Sequence, residues 1–206
     1  MRDLRLVGRR IVDVGVAASV LFCLLPLLCA LTVLVSTTSR GPAFFVHTRM
    51  ARGGGRFGCI KFRTMYHDAD QRLRELLAND AEFRRQWMSH HKVEHDPRIT
   101  RVGRLLRRWS LDELPQLVNI LKGDMSFIGP RPVPTYEIDP FGEALPKVLS
   151  VPPGFTGLWQ VSGRSELSVD DRIRLDLEYV DNRSVVLDLR ILGKTAGVVL
   201  AGSGAY

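Results

Sequence analysis

Cysteine is scarce in this chain. Of 206 residues three are cysteine: Cys23 and Cys29 inside an apolar run, and Cys59 alone. That distribution excludes a disulfide framework and fits a reducing compartment. The histidines offer no substitute metal set. His90, His91 and His95 cluster, with His91 and His95 at i, i+4, but no acidic or cysteine partner completes a zinc pattern. Phosphate loops are missing too: the glycines at 53–55 stand in neither a GxxxxGK nor a GxGxxG context and read as a hairpin turn. The interleaved basic and aromatic residues that stack single-stranded nucleic acid are also absent, which leaves nucleic acid outside the expected partners.

A second absence is positive information. Residues 14–39 contain no charged side chain, a stretch longer than the roughly 20 residues a spanning helix needs. It ends without a small-residue cleavage site, unlike a removable leader. A straight span, a re-entrant hairpin and an interfacial helix all remain open. Two features favour re-entry. Pro26 sits mid-run, where it removes a backbone hydrogen bond and bends a helix. Basic residues flank both ends (Arg2, Arg5, Arg9 and Arg10 before; Arg40, Arg49, Arg52 and Arg56 after), so the positive-inside rule gives no direction. Each half would be roughly 18 Å long, enough to dip in and return.

What is abundant is positive charge. Lys and Arg number 29 against 22 Asp and Glu, a net +7, which suits a nucleotide, a nucleic acid or an acidic membrane surface. The length supports one ordinary domain plus one extra element. Beyond the apolar run, residues 43–46 read as a short strand, the glycines as a turn and CIKFRTM as a second strand. Residues 67–90 read as one surface helix, with Leu73, Leu76, Leu77, Phe83 and Trp87 at helical spacing. Pro132 and Pro134 open an irregular loop to about Pro153. Ser168 with Asp171 caps a helix to position 180, and a last apolar helix covers 185–201 and packs on the domain or the membrane surface.

The chemistry concentrates in residues 101–132. Asp112 and Glu113 are adjacent at the start of a helix whose apolar stripe is Leu114, Leu117, Val118 and Leu121, ending at Lys122-Gly123. Ser110 has capping-box spacing to Glu113, while Pro115 belongs in a first turn. The helix therefore starts either just after the carboxylates or at Ser110 with distortion. Arg104, Arg107, Arg108 and Arg131 bracket the acidic pair. Guanidinium forks match phosphate oxygens, so this set can hold a phosphate and present a carboxylate to it. An ordinary surface helix with ion pairs is the bland alternative.

KFRTM (61–65), the long block from DPRITRVGRLL to FIGPRP (96–132), PGFTGLWQVSGRS (153–165) and the closing GAY resemble the bacterial sugar transferase family, the monotopic phosphoglycosyl transferases. The resemblance runs in order over nearly the whole chain. It implies a mostly helical α+β fold. A Pro-kinked re-entrant membrane helix (1–40) would precede a small cytoplasmic catalytic domain (41–206) with a short β-hairpin and interface-lying helices. It implies transfer of a sugar-1-phosphate from a UDP-sugar to polyprenyl phosphate at the bacterial inner membrane, catalytic side cytoplasmic, with release of UMP, to begin exopolysaccharide or glycoconjugate assembly. Asp112 is then the nucleophile and a magnesium ligand, Glu113 its partner, and Arg107, Arg131 and Lys61 phosphate-binding. Arg164, Asp176 and Asp188 are lesser expectations, and Pro26 marks the membrane break. Leu25 replaces the small polar residue often found before that proline. A membrane homodimer is compatible with the resemblance. Two other classes compete: a membrane-tethered basic binding module, and a scaffold with a retained but idle site. The first does not account for an acidic pair set between arginines; against the second stand Asp112, Glu113, Arg107 and Arg131, all of them present.

Overall fold

The computed structural model describes residues 2–39, 41–90, 93, 96–163 and 167–201. Helix α1 (Arg2–Thr38) is continuous through Pro26 and is long and apolar enough to cross a membrane. It does not stand apart from the rest of the chain. Near its start, Arg10 donates to the carbonyl oxygens of Ile120 and Leu121, and Asp13 accepts from Ser126 Oγ at 2.7 Å and from the Phe127 amide at 3.1 Å. Near its end, Leu31 and Val35 are buried with Ala43, Phe62 and Leu106. Roughly 39 Å of helix separates Arg9 from Val35 at 1.5 Å per residue if the axis is straight, yet both ends hold the same domain. Between them Phe22, Leu25 and Leu27 are exposed.

The hairpin expected after α1 is longer than the sequence suggests. β1 (Phe44–Met50) pairs antiparallel with β2 (Arg56–Phe62) around a turn at Arg52–Gly54 in which Gly53 has φ 78°. The single helix expected over 67–90 is two, α2 (Ala69–Asn79) and α3 (Ala81–His90). Asp80 between them is extended, and its side chain accepts from the Phe83 amide to start the second helix. Trp87 is half-buried beneath the Arg98 guanidinium, 4.5 Å from its ring centre. His91 and His95 lie outside the described residues.

Helix α4 (Arg101–Arg108) is capped by Thr100, which accepts from the Gly103 amide at 2.8 Å. Helix α5 (Gln116–Lys122) begins after the carboxylates, with Pro115 at its N-cap and Gly123 left-handed beyond its end. Ser110 is not a cap. It holds a left-handed conformation (φ 55°) with no side-chain cap bond, because the chain must reverse between α4 and the turn Leu111–Glu113. Leu117, Ile120 and Met125 of this region pack with Ala17, Phe57 and Cys59 in one core cluster. Each fully buried aliphatic side chain there contributes about 1.5–3 kcal/mol.

The stretch expected as irregular loop carries a short helix, α6 (Leu145–Val148). Its flanks form a parallel pair of three-residue strands, β3 (Ser126–Ile128) and β4 (Gly154–Thr156). Helix α7 (Val169–Asp181) is capped by Ser168, which accepts from the Asp171 amide at 3.1 Å, as its sequence predicts. In α8 (Val185–Ala201), Ile191 is buried while Val185, Val186 and Leu189 are exposed. The fold is thus mostly helical α+β, with one long apolar N-terminal helix.

Gly103 is the tightest joint in this frame. A Cβ there would lie 2.0 Å from the Thr64 carbonyl oxygen. Glycine to alanine inside a helix ordinarily stabilises by about 1 kcal/mol; here backbone overlap reverses the sign. Gly103→Ala is expected to cost about 1–3 kcal/mol, read as a lowered thermal midpoint of the detergent-solubilised protein. An unchanged or raised midpoint would refute the joint.

Candidate active site

Three segments far apart in sequence converge on Glu113. Its Oε1 accepts from Lys61 Nζ on β2 at 2.7 Å and from Arg131 Nη2, beyond β3, at 2.9 Å. Burial alone would raise the Glu113 pKa. Arg131 and Lys61 outweigh that and hold the carboxylate ionised, well below its usual range. Asp112, next in the chain, is 9% exposed and makes no hydrogen bond or ion pair among the described residues. Burial pushes its pKa up, and the neighbouring Glu113 charge adds to the rise against Lys61, Arg107 and Arg131. The two carboxylates are therefore unequal: one clamped and charged, the other poorly solvated and unclaimed. The unclaimed one is the better base and nucleophile.

Each partner is set by its local structure. Asn119, buried on α5, accepts from the Ile60 amide at 3.0 Å and donates to the Gly58 carbonyl at 2.8 Å, riveting α5 to β2 so that Lys61 meets Glu113. Sequence reasoning missed Asn119, since an asparagine between apolar residues gives no signal of its partner. Arg107 Nε donates to Thr64 Oγ1 at 2.9 Å, and the Gly103 joint brings α4 close enough for that bond. Burial lowers the Arg107 pKa while Asp112 opposes the shift, so its charge faces the free carboxylate. Arg131 is aimed by a clamped turn. Gly154 N donates to Pro130 O at 2.8 Å, and a Cβ on Gly154 would come within 2.1 Å of Gly129 N. Arg49, also unforeseen, donates to Pro132 O at 3.2 Å. With Lys61, Glu113, Gln116 and Arg131 it lines a narrow pocket.

The lesser expectations separate. Arg164 lies outside the described residues. Asp188 is paired with Arg9 and lies 3.1 Å from the Tyr179 hydroxyl, in the joint between α8 and α1 rather than around Glu113. Asp176 is almost wholly buried on α7, 3.9 Å from Arg172 Nε, and neither of its oxygens has a hydrogen-bond partner among the described residues. Arg172 and Arg131 both lie over the Trp159 ring, at 5.1 and 5.8 Å. Asp176 thus reaches the site indirectly, behind Arg131.

Magnesium prefers one or two carboxylates together with substrate phosphates. Among the described residues no group of three or more metal-binding side chains exists. The uncommitted oxygens of Asp112 fit that sparse mode, whereas Glu113 is already held by two cations.

Asp176 carries a pH signature. Burial raises its pKa to about 7, against the opposing pull of Arg172 and Arg131. A carboxyl group with a raised folded pKa stabilises fully below its unfolded value of about 3.9 and loses that contribution as pH climbs through the folded value. Wild type is expected to lose on the order of 4 kcal/mol between about pH 4 and 7 relative to Asp176→Asn. Thermal midpoints of both proteins across that range test this; equal slopes would contradict it.

Similarity to known proteins covers the same ground as this geometry. The family model for bacterial sugar transferases matches residues 4–202. An undecaprenyl-phosphate galactose phosphotransferase of Salmonella typhimurium is 46% identical over 198 residues, 96% of this chain and 41% of the relative. The exopolysaccharide production protein ExoY of Sinorhizobium fredii is 40% identical, over 97% of this chain and 88% of its own length. A UDP-glucose:undecaprenyl-phosphate glucose-1-phosphate transferase of Caulobacter vibrioides is 37% identical, over 99% and 73%. The chain therefore spans as little as 41% of some curated relatives.

Proposed function

Because the chain belongs to the bacterial sugar transferase family, we propose that it moves a sugar-1-phosphate from a UDP-sugar to a polyprenyl phosphate, releasing UMP. The carrying observation is the inequality of the dyad: Glu113 is held ionised by Lys61 and Arg131, and Asp112 beside it is buried with no hydrogen-bond or ion-pair partner among the described residues.

An Asp112 oxygen attacks the phosphorus that bears the sugar. The bond from that phosphorus to the UMP oxygen breaks, UMP leaves with the electron pair, and an acyl phosphate remains on Asp112. An oxygen of the lipid phosphate then attacks the same phosphorus, freeing the Asp112 carboxylate and giving a polyprenyl diphosphate sugar. Arg107, Lys61 and Arg131 offset charge on the phosphate oxygens, and the buried setting strengthens each contact. The uncommitted oxygens of Asp112, together with donor phosphate oxygens, would hold a magnesium ion, which would supply further charge neutralisation at the transferring phosphate. The WQVSGRS segment and the GAY ending favour a hexose donor, in line with the galactose and glucose named for two relatives.

The membrane geometry we favour is re-entrant, with Pro26 at the bend and the catalytic domain on the cytoplasmic face of the inner membrane. Its support is that Arg10 and Asp13 at one end of α1 and Leu31 and Val35 at the other hold the same domain. A straight span would separate those anchors by a bilayer about 30 Å thick.

With a panel of UDP-hexoses, magnesium and polyprenyl phosphate, wild type is expected to release UMP, and Asp112→Asn to release it on the order of 10³-fold more slowly or not at all. Retained activity in that variant would discard the covalent route. Single cysteines at positions 8 and 38, in a background without the native three, are expected to be labelled from one side of the membrane only. Labelling from opposite sides would reject the re-entrant helix.

A further inference from the structure

β1 begins at Phe44, shortly after α1 ends at Thr38, and it opens with three exposed apolar side chains: Phe44 at 44%, Phe45 at 52% and Val46 at 59%. Successive strand residues face opposite ways, so this edge is apolar on both faces. Phe44 stacks on buried Phe62 at 5.2 Å on one face. Phe45 turns to the other, where it stands directly opposite Lys61. Residues opposed in an antiparallel pair have Cβ atoms about 4.5–5.5 Å apart. The Phe45 ring therefore borders the lysine that holds Glu113 at 2.7 Å. Its next neighbour on that face, His47, lies 5.9 Å away ring to ring, and burial, with Arg49 and Lys61, lowers the His47 pKa to about 4. His47 Nδ1 lies 3.1 Å from Arg49 Nη2, so the apolar edge gives way at this end to the cations Lys61 and Arg49.

Such a surface, continuous with a membrane-inserted helix at one end and with cations at the other, matches a ligand that is a long hydrocarbon chain ending in phosphate. Resting on the transferase reading, we propose that Phe45 is the contact over which the hydrocarbon chain of the lipid-phosphate acceptor leaves the bilayer for the site, its phosphate being received at Lys61. The ring then serves the second half of the reaction and not the first. A nucleobase of the donor stacked on Phe45 would reverse that assignment.

The two half-reactions can be read separately in the full-length protein in detergent. UMP released in a single turnover without acceptor reports the first; transfer to a long polyprenyl phosphate, or to a short water-soluble prenyl phosphate, reports the second. Phe45→Ala is expected to keep the UMP burst and the KM for UDP-sugar, which also shows that the variant is folded. It should raise the KM for the long acceptor about tenfold or more and leave the short acceptor unaffected. Phe45→Leu should recover most of the loss. A changed burst or donor KM, an unchanged long-acceptor KM, or an equal defect with both acceptors would overturn the proposal. Absence of a burst from wild type with every donor would instead remove the transferase reading on which it rests.

Discussion

Glu113 is shared by Lys61 and Arg131, and through those two contacts a β-hairpin, a helix start and a turn after a strand meet at one point. A buried carboxylate with one cation removed is expensive, because an unpaired charge is left out of water. Lys61 depends on the Asn119 rivet between α5 and β2, and Arg131 on the glycine-tight turn at 129–131. Both supports serve a second end. By fixing the charge on Glu113 through its Oε1 they leave both Asp112 oxygens without a partner among the described residues, with Lys61, Arg107 and Arg131 around them.

Helix α1 belongs to the same arrangement. Arg10 donates to the carbonyls at the end of α5, the helix that follows the dyad, and Asp13 holds β3, the strand that leads to Arg131. Arg9 joins Asp188 and buried Tyr179, whose hydroxyl lies 3.1 Å from the Ile128 carbonyl. In the proposed membrane geometry the depth of α1 in the bilayer is thereby tied to the position of the dyad, which suits the proposed transfer from a soluble nucleotide to a lipid phosphate.

The parts of this arrangement that could be read from sequence were those fixed by local chemistry. Ser168 and Asp171 announce a cap because the bond that makes it spans three residues. The uncharged run at 14–39 announces a long apolar helix because its signal lies wholly within the run, and Asp112, Glu113, Arg107 and Arg131 stand out because adjacent acids among arginines are chemically unusual, whereas Lys61 is singled out by the KFRTM resemblance. The parts that were hidden depend on tertiary neighbours. Ser110 has the spacing of a capping box but is forced left-handed by the reversal after α4. The break at Asp80 interrupts a helical pattern that continues across it. β3 and β4 are three residues each and pair in parallel across the intervening segment that carries α6, so neither carries periodicity of its own. Asn119 acts through partners on β2 that no spacing reveals.

The central claim is that Asp112, and not Glu113, carries the sugar phosphate. Rapid acid quench after incubation with UDP-sugar and magnesium in the absence of acceptor, followed by mass spectrometry of the peptide spanning the dyad, tests it directly. The account predicts a hexose-phosphate adduct on Asp112 that disappears when polyprenyl phosphate is added. An adduct on Glu113, or UMP release with no adduct on this peptide, would contradict it.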